Sequence, residues 1–338
     1  MRFDMALSAD LGEVRAQAEA YEAMGVDGVF TFEGQRDVFF PLVAAAEYTG
    51  MDIYTNVAIA LPRSPMHLAY QAFDLHRLSG GRFALGLGSQ IKPHITKRYS
   101  AVWDRPVAQM RELMAATKAI FACWQEGQRL DFRGDYYTFT LTTPIFEPDP
   151  LDWGAPPIWA GALGPRMTRM VAETADGILI HPFCSEQFLR SATMPAVAAG
   201  LAAAGRHRDD FTCGVGVIVG LHGDDAGEAE VRAVDRRCRS NLGFYGSTPA
   251  YRVVLDAHGW GELQDELNRL TKQGRWDAIG DVWDTAMVRT LSVQGTPAEA
   301  ASEIRNRFDG LADRIHISLH STPQPLVAEL FSELRDGA

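Results

Sequence analysis

RFDMALSADLGEVRAQAEAYEAMGVDGVFTF, residues 2–32, holds one full cycle of the pattern that decides the fold. Arg2 to Leu7 is a short apolar run that reads as a strand. Leu11, Val14, Ala18 and Tyr21 then recur at helical spacing, Gly25 stands where a helix would stop, and Gly28 to Phe32 is again a strand. Strand, amphipathic helix and strand make a βαβ unit, whose crossover joins parallel neighbours.

The cycle repeats outward from this stretch. Helix Phe39 to Tyr48 leads to strand Ile53 to Ile59, and helix Ser64 to Leu78 to strand Phe83 to Leu87, with Gly80-Gly81 as the helix stop. Val107, Met110, Leu113, Met114, Thr117, Ile120, Phe121 and Trp124 form a long apolar stripe that predicts a helix packed on its neighbours. Arg129 to Thr140 alternates and turns at Arg133-Gly134-Asp135, as a hairpin does. Strands follow at Ile158 to Ala160, Gly177 to Ile180 and Gly214 to Val219, separated by helices at Arg166 to Thr174 and Glu186 to Ala204. Asp224 to Arg289 shows helical and irregular patterning with Trp260, Trp276 and Trp283 among charges, and reads as an insertion. The capping-box sequence Thr296-Pro297-Ala298-Glu299 then opens a helix, and Arg314 to Leu319 supplies an eighth strand before a closing helix after Pro323.

Eight such units predict an α/β fold, a TIM (β/α)8 barrel, with a helical insertion at about 224–290 before the last unit. The 338 residues are read as a single domain. A doubly wound open sheet is the alternative, but the first strand lacks the GxGxxG turn and ribose-binding acid of a dinucleotide fold. In a barrel, chemistry sits on the loops that follow the strands.

Composition limits the partners. Thirty-two Lys and Arg against 43 Asp and Glu leave a formal charge of -11, which repels nucleic-acid backbones and anionic membranes. The reading is of a cytoplasmic protein, without a secretory signal or an apolar run near 20 residues. Cys123, Cys184, Cys213 and Cys238 form no CxxC pair and read as small buried hydrophobes. No HxH, HExxH or GxSxG spells out a metal site or a nucleophile elbow. Asp74 and Arg82, either side of the glycine pair, suggest a structural salt bridge.

Several segments in fixed order carry a family likeness. Gly28 to Glu33, Ser79-Gly80-Gly81-Arg82-Phe83-Ala84-Leu85-Gly86-Leu87-Gly88-Ser89, Pro157-Ile158-Trp159-Ala160-Gly161-Ala162-Leu163-Gly164-Pro165 and Val293-Gln294-Gly295-Thr296-Pro297-Ala298-Glu299 together resemble the luciferase-like monooxygenase superfamily. Val102 to Glu112 further resembles a branch that uses 8-hydroxy-5-deazaflavin, coenzyme F-420. The resemblance implies hydride transfer between that coenzyme and a small organic substrate, in a homodimer. FMN is the alternative cofactor, and a non-catalytic flavin-binding barrel is the other alternative.

The residues support this in different degrees. Gly161, Ala162, Leu163, Gly164 and Pro165 run from a strand into a helix whose free amides could hold a coenzyme phosphate, although an ordinary glycine-rich turn has the same pattern. Gly86 and Gly88 would let a flat ring approach the backbone, with Ser89 at the mouth, or would merely soften a strand end. The resemblance implies a bulge with a non-prolyl cis peptide at Asn56-Val57 under the ring. It also implies an acidic residue near the reactive ring, which makes Glu33 the candidate general acid or base, with Gly34 standing where relatives often have histidine. His181, after Gly177 to Ile180, is a candidate substrate contact or a structural hydrogen-bonding residue. Phe30, Phe32 and Trp159 are expected to line the apolar slot, and His94, Lys92, Lys97 and Arg98 either meet an anionic group or face water.

Overall fold

A computed structural model describes residues 1–7, 11–319 and 321–336. Eight parallel strands form a closed ring: Arg2–Ala6, Gly28–Thr31, Asp52–Thr55, Phe83–Gly88, Ile158–Gly161, Gly177–Ile180, Thr212–Leu221 and Arg314–Leu319. Closure is made twice by the last strand, whose Arg314 to Ile317 align with Arg2 to Met5 on one side and with Gly214 to Val217 on the other. The chain is therefore a TIM barrel. Most residues of each strand are buried, and the second, fourth and sixth strands are buried along their whole length, which is why they read as continuous apolar runs rather than as alternation.

Helices cover the outside, and their ends lie where local chemistry sets them. Ser64 caps Pro65–Leu78 by accepting from the Met66 amide, and the chain leaves that helix through Gly80 and Gly81 at φ 65° and 88°, a region glycine enters without penalty. Thr296 and Glu299 form the reciprocal capping box of Pro297–Phe308. The hairpin is Phe132–Arg133 against Thr138–Phe139, pinned to the helix Pro106–Glu126 because Glu112 accepts from the amides of Asp135, Tyr136 and Tyr137.

The segment between the seventh and eighth strands carries Glu228–Gly246, Arg252–Asp256, Glu262–Lys272 and Thr285–Leu291, the expected helices. It also carries Val293–Gly295, three residues paired to Val219 to Leu221, too short to show as a strand in the sequence. All four cysteines are buried and unpaired. No helix of the described residues is long and apolar enough to cross a membrane.

Two expectations are corrected. Arg82 does not pair with Asp74; its guanidinium donates to the carbonyls of Met51 and Ala46, tying down the turn before the third strand. Nor do Phe30 and Trp159 line the mouth. Trp159 aligns with Gly86 and Gly177 on its neighbouring strands, and that missing bulk lets the indole turn into the barrel, where it meets Tyr54 edge-on at 5.1 Å. Phe30 stacks on the same tyrosine at 5.5 Å, while Phe32 is left 55% exposed.

Candidate active site at the carboxyl rim of the barrel

The third strand breaks at Asn56 and Val57, resuming as Ala58–Ile59, and the peptide between these two residues is cis. Val57 occupies space left by Gly88 and lies beside Gly161. A Cβ on Gly88 would overlap Val57 Cγ2, and one on Gly161 would stand 3.5 Å from Val57 Cγ1. Thr55 fixes the break from below, donating to the Gly86 carbonyl at 2.7 Å and accepting from its amide at 2.9 Å. The glycine strand and the glycine loop thus meet at one side chain, on the rim where TIM barrels place their chemistry. Ser89 is at the same rim, its hydroxyl turned 3.2 Å to the Gln90 carbonyl.

From Gly161 the chain crosses the rim and enters the helix Pro165–Thr174. The Ala162 amide bonds the Leu179 carbonyl at 3.4 Å, which fastens the loop to the next strand. Gly164 is the N-cap in extended geometry, with no side-chain cap, and a Cβ there would meet nothing within 4 Å. The amides of Leu163, Gly164, Arg166 and Met167 have no acceptor among the described residues. Thr168, one turn into the helix, is fully buried with its hydroxyl unpartnered, and Arg166 is an exposed cation with no ion pair. Uncommitted donors, the positive helix end and open space beside them form a cradle that suits a phosphate.

Glu33 follows the second strand and is almost fully engaged. Arg63 holds both carboxylate oxygens, at 2.7 and 3.0 Å, the Ile59 amide donates at 2.8 Å, and the Tyr99 hydroxyl at 2.9 Å. Four donors on one carboxylate suit an anchor that holds the rim loops together better than a group that takes and gives protons. The loop after the fourth strand is tied here as well, through Arg98, which donates to the Gly34 carbonyl at 2.8 Å.

His181 emerges directly after Gly177–Ile180, two residues beyond the carbonyl that fastens the glycine loop. Its Nδ1 accepts from the Phe183 amide at 3.0 Å, so the ring carries its proton on Nε2, and that donor has no partner among the described residues. Burial lowers its pKa to about 3, leaving a neutral hydrogen-bond donor.

Beneath the rim the barrel interior is polar. Asp4 takes two hydrogen bonds from Arg314, both at 2.7 Å, and one from Tyr54 at 2.7 Å. Above them His316 accepts from the Asn56 side-chain amide at 3.0 Å, and so connects this network to the strand break. Burial, and then the Arg314 charge, lower the His316 pKa to about 3. An unfolded histidine titrates near ~6.5, so the folded chain refuses a proton that the unfolded chain binds. The contribution is fully present above pH ~6.5 and is lost as pH falls toward 3, with about 2 kcal/mol gone by pH ~5. Thermal unfolding of wild type and His316→Gln at pH 7.5 and pH 5 checks this: the variant should lose distinctly less stability on acidification.

Two recesses lie away from this rim. One, of about 640 Å³, follows the outer face of Glu228–Gly246, and the other, of about 700 Å³, lies at the amino-terminal end of the barrel. The second is lined by Asp176, Asp209, Asp210 and Asp313 with Arg208, a balance that repels anionic coenzymes. Among the described residues no three His, Cys, Asp or Glu side chains gather as metal ligands.

The site combines parts that the sequence reading separated with parts it missed. Asn56, Val57, Gly88, Gly161 to Pro165 and His181 come to one rim, with Glu33 beside them. Arg63, Tyr99 and His316 were not foreseen, since each matters through a partner distant in sequence.

The chain is similar to known proteins over nearly its full length. The family model for luciferase-like monooxygenases matches residues 3–314. An uncharacterized protein of Mycobacterium tuberculosis is 42% identical over 316 residues, spanning 93% of this chain and 92% of that protein. The 5,10-methylenetetrahydromethanopterin reductase of Archaeoglobus fulgidus is 28% identical over 246 residues, 71% of this chain and 68% of its own length. Among solved structures, the coenzyme F420-dependent tetrahydromethanopterin reductase from Methanopyrus kandleri superposes with a TM-score of 0.81 at 17% identity, covering 100% of this chain and 98% of that one.

Proposed function

The chain belongs to the luciferase-like monooxygenase family, and from that premise we propose that it is an oxidoreductase that binds coenzyme F-420 and exchanges a hydride between it and a small organic substrate. The observation that carries this reading is the meeting of Gly88, Val57 and Gly161 beside an open, donor-rich loop: a surface a planar ring can rest on, next to a cradle for its phosphate. The likeness to the coenzyme F420-dependent reductase of Methanopyrus supports the deazaflavin reading.

When bound, a deazaflavin supplies a ring carbon that accepts or gives a hydride and activates oxygen poorly. The chain contributes the rest. The amides of Leu163, Gly164, Arg166 and Met167 and the Arg166 cation take the phosphate. Val57 supports the ring, with Gly88 and Gly161 providing close approach. Glu33, through Arg63 and Tyr99, keeps the rim loops in register, and His181 Nε2–H donates to an oxygen of the substrate.

Coenzyme-loaded protein, mixed with a panel of alcohols, aldehydes and enones, should bleach or regain the coenzyme's absorbance with one of them. FMN turnover with oxygen consumption would move the assignment to a monooxygenase, and binding without turnover on any of the panel would leave a non-catalytic barrel. Glu33→Gln should lower turnover by roughly tenfold with coenzyme affinity unchanged. A fall of about 10²–10⁴-fold, the range of direct acid–base catalysis, would make Glu33 the proton carrier, and unchanged turnover would remove any role in the reaction.

A further inference from the structure

The inserted segment between the seventh and eighth strands brings its own side chains to the rim. The last turn of Glu228–Gly246 approaches its neighbours closely through two glycines: a Cβ on Gly243 would lie 2.8 Å from Ile279, and one on Gly246 2.9 Å from Leu267 and 3.0 Å from the Trp283 ring. That approach sets Tyr245 edge-on against His181, ring centroids 4.5 Å apart. Tyr251, beyond the end of the helix, lies tilted against the same imidazole at 4.6 Å and stacks over the buried Phe183 at 6.2 Å. Phe244 packs on Tyr245 at 5.4 Å and is 55% exposed, so one flank of the cluster opens outward.

Three polar atoms in this aromatic cluster are uncommitted. Among the described residues His181 Nε2–H has no partner, although the opposite nitrogen is fixed by the Phe183 amide, and neither the Tyr245 nor the Tyr251 hydroxyl makes a hydrogen bond. His181, Tyr245 and Tyr251 are each only partly buried, so these three atoms are open to a ligand or to water. Nearby cations are taken: Arg252 by Asp256 and Asp265, and Arg239 by Asp235. The acidic partners in turn are spent on those arginines. The cluster thus offers neutral donors and ring faces, with no free charge of either sign.

We propose that His181, Tyr245 and Tyr251 form the substrate subsite, built for an uncharged molecule that carries a carbonyl or hydroxyl oxygen on a flat apolar body. The oxygen accepts from His181 Nε2–H and from the phenols, and the body lies against Tyr251 and Phe244. A carboxylate or phosphate ester gains nothing here, because no cation is available and desolvating the anion is costly. Burial keeps both phenols protonated at neutral pH, the Tyr251 pKa being pushed up to about 12 with a further contribution from Tyr245, so they remain donors. The assignment rests on the oxidoreductase reading for its meaning as a substrate site, but the binding it predicts does not require the coenzyme.

The test uses acetophenone as the uncharged probe and benzoylformate as its anionic counterpart, both measured by ligand-observed NMR on the full chain without added coenzyme. Acetophenone should bind, and benzoylformate should bind at least about tenfold more weakly. Tyr251→Phe and Tyr245→Phe keep the rings and should each weaken acetophenone by about three- to tenfold, the double variant by more, with thermal unfolding unchanged. A coenzyme titration of the same variants should show wild-type affinity. No acetophenone binding, equal or tighter binding of benzoylformate, or unaltered affinity in the double variant overturns the proposal. If acetophenone binds as described but coenzyme F-420 and FMN do not, the subsite stands and the redox reading is what fails.

Discussion

Arg314→Met is expected to lower the unfolding free energy by about 3–5 kcal/mol, because it leaves an uncompensated charge inside the barrel. Asp4 is wholly buried, and three of its hydrogen bonds come from Arg314 and Tyr54. Water does not reach it to replace the guanidinium, and the neighbouring strand has no bulk to spare: a Cβ on Gly28 would stand 2.5 Å from Arg314 and 2.7 Å from Asp4. The pair itself need not add much net stability, since desolvating two ions offsets most of their attraction. The double variant Asp4→Leu/Arg314→Met should therefore recover part of the loss. Denaturant unfolding of the two variants checks both statements. A single-variant loss below about 1 kcal/mol would mean that the interior is wetter than the geometry shows.

The second large effect is on coenzyme affinity. Gly88→Ala places a methyl where Val57 Cγ2 now lies, and Val57 is held by its strand break on one side and by Gly161 on the other. Val57 is partly exposed, and its displacement is expected outward, into the space assigned to the ring. Overpacking of this kind costs about 1–3 kcal/mol, which as lost affinity is roughly ten- to a hundredfold. Gly227→Ala is the internal control, since a Cβ there meets nothing and φ is -71°. Its coenzyme affinity should stay within about threefold of wild type. Fluorescence titration of both variants measures the contrast, and equal affinities would remove Val57 from the ring-binding surface.

The barrel was legible in the sequence because its eight strands are apolar runs separated by helices with explicit ends, such as the Gly80-Gly81 stop and the Thr296–Glu299 box that starts the last helix before the eighth strand. The glycine loop was legible as a strand-to-helix turn, but its use was not, since an ordinary glycine-rich turn has the same pattern and only the family likeness sets this one apart. What could not be read is which way a barrel residue faces when its neighbours are glycines. Trp159 and Phe30 sit at strand positions that could have lined the mouth, and only the pairing of Trp159 with Gly86 and Gly177 turns the indole inward. The partners of Glu33 were equally hidden. Arg63 and Tyr99 lie 30 and 66 residues away, and no local pattern joins them. Tyr245 and Tyr251 belong to an insertion with no repeating pattern, so their convergence on His181 is a product of tertiary packing alone.

The central claim is that the rim holds a planar ring against Val57 and an anionic tail on the Gly161–Pro165 loop. Equilibrium titration of the folded chain with coenzyme F-420, and with the same deazaflavin lacking its phosphate, tests both halves together. Saturable binding of one coenzyme per chain is predicted, with the phosphate-free compound weaker by at least about tenfold. Failure of both F-420 and FMN to bind, or equal affinity with and without the phosphate, would contradict the account.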